Sequence, residues 1–78
     1  MQNKIKLHSI GHYRVSAETS KGAHITQDSD HVIGALEAYT DIVRNAYDNE
    51  MWDAIIKLTD IEAGRCLITH RVLEENKI

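Results

Sequence analysis

Proline is absent from this sequence and cysteine occurs once. No apolar run reaches the roughly 18 residues that mark a membrane-crossing helix. With Cys66 alone, neither an intrachain disulfide nor a cysteine-based zinc site can form, and a reducing compartment is the easier expectation. The opening stretch MQNKIKLHSI has no uninterrupted apolar segment of the kind that directs export, so the expectation is a cytoplasmic protein that does not insert in a membrane. No linker, repeat or low-complexity tract interrupts the chain. Also missing are a Walker loop, G-x-G-x-x-G, H-E-x-x-H and G-x-S-x-G, which leaves nucleotide, zinc-protease and serine-hydrolase chemistry without a motif.

What is present is a short chain with segregated charge. A chain of 78 residues is expected to form a single domain, residues 1–78, burying only about 60% of its unfolded surface. Marginal stability and association as a homodimer are therefore expected. The net charge of −3 hides a division into three parts. From Asp28 to Glu62, nine acidic residues face only Arg44 and Lys57, whereas both flanking stretches are net basic. Such asymmetry bears on partners and solubility rather than on fold.

The stretch DHVIGALEAYTDIVRNAYDNEM predicts one long helix from about Asp30 to Asn49. Val32, Ala35, Leu36, Tyr39, Val43, Ala46 and Tyr47 share a stripe, as a helix covering a sheet requires. Leu36 and Val43 are expected to be fully buried. Asp28-Ser29-Asp30 offers three possible N-caps in a row, with the start expected at Ser29 or Asp30, and Asn49 is the expected terminator. On the opposite side Asp30, Glu37, Asp41 and Asp48 fall within about 40° of one another, with only Arg44 near them.

Elsewhere the pattern is that of strands. Residues from Lys4 to Thr19 alternate with period two, with Tyr13, Val15 and Ala17 on the core side. Gly11 is a candidate bulge. Ser20-Lys21-Gly22 reads as a hairpin loop that sets Ala17 opposite Ile25 and Glu18 opposite His24. Trp52 to Ile61 can be helix or strand; branched residues favour the strand, with a turn over Asp60 to Gly64 and a last strand from Arg65 to Leu73. The expected fold is α+β, ββαββ: a four-stranded antiparallel sheet, order 2-1-3-4, with the helix on one face.

Of the residues able to carry chemistry, few fall together. His8 and His12 lie about 13 Å apart on an extended strand, too far for one metal ion. Cys66 and His70 have the same separation, and Cys66 is expected in the core. No metal, cofactor or catalytic site is expected, and the protein is read as a non-enzyme. Two surfaces remain. One is the acidic line Asp30, Glu37, Asp41 and Asp48, the expected partner-binding residues. The other is the outer sheet face, with Lys4, Lys6, His8, Ile10, His12 and Arg14, joined by an apolar centre of Ile10, Ile55, Leu67 and Leu73. Its lack of aromatic residues makes direct nucleic-acid binding the lesser expectation, because Tyr13, Tyr39, Tyr47 and Trp52 all read as core-directed.

The hairpin and helix from Tyr13 to Ile42 resemble those of HicB-type antitoxins, although the Pro-Gly loop usual there is missing. A small, acidic ββαββ domain without motifs is also similar to phage-encoded inhibitors, anti-CRISPR proteins among them, that occupy a host protein's nucleic-acid site. The second resemblance implies a binding protein that inhibits or modulates a protein partner, itself a nucleic-acid-binding protein or complex. The first implies the alternative, a homodimeric nucleic-acid-binding regulator that uses the basic sheet face.

Overall fold

The computed structural model describes residues 10–74, Ile10 by its backbone only. Five elements follow one another: β1 (Ile10–Glu18), β2 (His24–His31), α1 (Val32–Asp48), β3 (Ile55–Asp60) and β4 (Arg65–Arg71). They form the expected ββαββ fold, an antiparallel sheet ordered β2-β1-β3-β4 with the helix on one face. The expectations placed on Lys4, Lys6 and His8, on the Ile10 side chain and on residues 75–78 lie outside the described residues.

The first hairpin has the predicted register. Thr19 N–H donates to the Ala23 carbonyl at 2.9 Å and Gly22 N–H to the Thr19 carbonyl at 3.0 Å, leaving Ser20-Lys21-Gly22 as the loop. Gly22 has a φ of 90°, a region that side chains with a Cβ avoid. Ala17 then faces Ile25, and Glu18 faces His24. Between the pairs Ile10 with His31 and Tyr13 with Ser29, two residues of β1, Gly11 and His12, oppose the single Asp30, so the strand bulges at the glycine.

A second bulge was not anticipated and corrects two expectations. Leu58 pairs with Ile68 but Thr59 pairs with Cys66, so Leu67 is an extra residue in β4. The insertion reverses the alternation beyond it. Leu67 packs against the core instead of the outer face, and Cys66 is exposed instead of buried. β3 also starts later than Trp52, because Met51 to Ala54 form a loop in which Asp53 N–H donates to the Val72 carbonyl at 2.7 Å.

The core lies between α1 and the inner sheet face. Tyr13, Val15 and Ala17 of β1, Ile56 and Leu58 of β3, and Val72 are buried beneath Ala35, Ala38 and Ala46 of the helix. Leu36 and Val43, expected to be fully buried, are only half-buried. Two of the three buried alanines, Ala35 and Ala46, lie at one edge of the predicted stripe and Ala38 lies beyond it, so the three average roughly 70° of helix rotation from the stripe's centre. Small side chains admit the closest approach of the helix to the sheet, so they occupy the contact line. The larger Leu36, Val43 and Tyr47 pack partly buried beside it, and the Tyr47 hydroxyl meets His70 Nε2 of β4 at 2.8 Å.

The helix also begins later than expected. Strand β2 continues to His31, which occupies the N-cap position in extended conformation without a side-chain capping bond. Ser29 instead turns on its own chain, its hydroxyl donating to the His31 carbonyl at 3.0 Å and accepting from His31 N–H at 3.3 Å. Asp28 and Asp30 are strand residues.

Candidate functional site

Because α1 starts at Val32, the acidic line on the helix holds three carboxylates, Glu37, Asp41 and Asp48, all exposed, while Asp30 precedes it on β2. Eleven residues of helix separate Glu37 from Asp48, about 16 Å of rise. Among the described residues the cation beside them is Arg44, whose Nη1 stands 3.6 Å from Asp41 Oδ1 with both side chains about two-thirds exposed. A pair so hydrated neutralises little of the field. Asp48 lies in the last turn, where the carbonyl ends of the helix already carry partial negative charge and no basic residue offsets it. An acid there costs helix stability, typically 0.3–1 kcal/mol. Its placement is not explained by folding.

Next to this flank, Ile33, Leu36, Glu37, Thr40 and Asp41 line a shallow depression of about 380 Å³ on the helix surface. Ile33 is 61% exposed there. Apolar and acidic groups thus stand side by side, a combination that can receive a basic side chain along both its alkyl stem and its charge.

Among the described residues, the outer sheet face mixes both signs of charge. Strand register places His24, Glu18, Ile55 and Arg71 in one row, Thr26, Ser16, Lys57 and Thr69 in the next, and Asp28, Arg14, Thr59 and Cys66 in the third. Asp28, a candidate cap by sequence, therefore stands beside Arg14. Arg14 Nε donates to Asp28 Oδ1 at 2.8 Å and Nη2 to Oδ2 at 3.1 Å, while His12 Nε2 lies 3.2 Å from the same Oδ2. The hydrogen bonds from Arg14 and then His12 hold the Asp28 carboxyl down to about 2. Two of the proposed basic residues, His12 and Arg14, are thereby partnered. Of the apolar centre expected here, Ile55 stands on this face, Leu67 turns inward and Leu73 lies beyond β4.

The side chains able to do chemistry remain apart. Among the described residues there is no group of three or more His, Cys, Asp or Glu placed to hold a metal ion. Cys66 Sγ bonds locally, to Thr69 Oγ1 at 3.1 Å and the Ile68 carbonyl at 3.4 Å. His70 is engaged with Tyr47. No described helix is long and apolar enough to cross a membrane.

Sequence reasoning missed a third feature, a groove of about 250 Å³ between β2 and α1, lined by Ile25, Gln27, Ile42, Asn45 and Met51 over buried alanines. Ile25 is 53% exposed in it. The available signal was the small or polar helix residues beside Ile42, Asn45 and Ala46, which leave Ile25 uncovered.

Comparison with protein-family models, with curated proteins and with solved structures found no match.

Proposed function

We propose that this protein is a non-enzymatic binding protein that inhibits or modulates a macromolecular partner, using the acidic flank of α1 to meet lysine and arginine side chains. The observation that carries the reading is the unmixed carboxylate line Glu37, Asp41 and Asp48, with Asp48 set against the helix dipole. Opposed charge on a partner speeds encounter and sets orientation. A partner surface that otherwise holds phosphates would carry such charge, which is how the protein would compete with nucleic acid. The alternative, a homodimeric regulator binding nucleic acid through the sheet, draws less support because Asp28 offsets Arg14 on that face.

Affinity capture from the native host with mass spectrometry identifies the partner, and calorimetry with the purified partner then tests the surface. Glu37→Lys combined with Asp41→Lys is expected to fold normally and to weaken binding at least 100-fold at physiological salt. A folded double variant that binds as wild type overturns the reading.

A further inference from the structure

The groove beside β2 adds a shape requirement to the acidic flank. The sheet ends at β2 among the described residues. Thr19 and Ala23 form a bonded pair, and bonded pairs alternate along an antiparallel ladder, so Ile25, Gln27 and Ser29 bond to β1. The amides and carbonyls of His24, Thr26 and Asp28 therefore point away from the sheet. Exposed edges are commonly blunted by lysine, proline or a bulge. Strand β2 has neither lysine nor proline, and its irregularity lies at the His31 end. The open stretch is the part that runs past the groove.

We propose that the β2 edge and the adjoining flank of α1 form a docking groove for an extended segment of the protein partner, with one large apolar side chain flanked at two residues' distance on either side by lysine or arginine. The inference rests on the partner-binding reading above. An added strand would take its main-chain bonds from His24, Thr26 and Asp28, and its alternate side chains would face the helix. A cavity of roughly 150 Å³ takes benzene, so about 250 Å³ accepts a Leu, Met or Phe side chain. Relative to Ile42 in the groove wall, Asn45, Asp41 and Asp48 follow at about 60°, 100° and 120° on one side of the helix, so the carboxylates rim the groove beyond Asn45. Asp41 and Asp48 are separated by about 10 Å of helix, and residues two before and two after a central one on a strand by about 13 Å. That match in spacing, with the charge complementarity, selects the basic-apolar-basic pattern.

The test uses the full chain, labelled with ¹⁵N and methyl ¹³C, titrated with the peptide Thr-Lys-Thr-Leu-Thr-Lys-Thr. Shifts are expected at the amides of His24, Thr26 and Asp28 and at the methyls of Ile25, Ile42 and Met51. Replacing the central Leu by Ser, N-methylating the peptide on its bonding edge, or making Ile25→Asp or Thr26→Pro in the protein should each weaken binding at least tenfold. Ile25→Asp alters an exposed side chain, and the modified peptides leave the protein untouched, so a folding defect cannot imitate the result. If Glu37→Lys with Asp41→Lys loses the peptide while N-methylation and Ile25→Asp do not, the charge reading stands and the groove is refuted. If no peptide shifts β2 while the identified partner still needs the acidic flank, the groove is likewise refuted. A wild-type dimer that Thr26→Pro makes monomeric assigns the edge to a second copy and overturns the proposal.

Discussion

Replacing Ile56 by Ala tests the packing directly, because Ile56 is fully buried in β3, beside β1 at the centre of the sheet. The substitution removes three carbon groups, about 2.4 kcal/mol of transfer free energy at roughly 0.8 kcal/mol each. A residual void of roughly 50 Å³ adds about 1.2 kcal/mol at 24 cal/mol per Å³. The expected loss is thus about 3.5 kcal/mol. A domain of 78 residues has of order 4–12 kcal/mol in total, so the variant should remain folded only at low denaturant. In urea, with a slope of about 1 kcal/mol per molar, the midpoint should fall by about 3.5 M. Leu36→Ala serves as the internal control. Half-buried at the helix margin, Leu36 should lose roughly 1–1.5 kcal/mol, since its methyls are already partly hydrated. Equal losses at the two positions would refute the placement of the alanine line over the sheet and restore the predicted stripe.

Two further perturbations probe local claims. A Cβ at Gly34 would stand 2.8 Å from Ser29 Oγ, so Gly34→Ala should gain little despite a helix-propensity advantage of about 0.8–1 kcal/mol. In a Ser29→Ala background that advantage should appear, and identical effects in both backgrounds by urea denaturation would exclude the contact. The Asp28 carboxyl, titrated by ¹³C NMR, should have its midpoint near 2, and Arg14→Gln should move it up towards the ordinary value of about 4. Since its folded pKa is lowered, the stability it contributes is complete above the unfolded value and is lost as pH falls through about 2. An ordinary midpoint in the wild type would mean that the Arg14 bonds do not persist in water.

The order of elements was legible because each boundary has a local chemical cause. Gly11 marked a bulge, Gly22 a left-handed turn, and alternation on either side of the loop fixed which residues pair. The β4 bulge was not legible, because no glycine or break in hydrophobicity announces Leu67 as the inserted residue. One unseen insertion was enough to exchange the fates of Cys66 and Leu67. Capping residues misled for a related reason. Asp28, Ser29 and Asp30 satisfy the chemistry of an N-cap equally well, but the ladder with β1 reaches His31 and takes all three of them into the strand. Long-range pairing overrode a local preference of about 1 kcal/mol.

The candidate surfaces were legible in charge and illegible in relief. Helical periodicity reports the direction in which apolar side chains point, and that was sufficient to place Glu37, Asp41 and Asp48 on a common exposed flank. It does not weight side chains by how close they let two backbones come. The predicted stripe was centred between its large and small members, whereas closest contact with the sheet falls on its small edge, Ala35 and Ala46, and on Ala38 beyond it, with Leu36, Val43 and Tyr47 only partly buried. The small residues at that contact leave Ile25 on β2 half uncovered. Acidic flank and open groove lie on one side of the helix, and a larger apolar residue at Asn45 in the groove lining would narrow the groove without altering a single charge. A charge-based screen of the sequence would find the first surface and pass over the second.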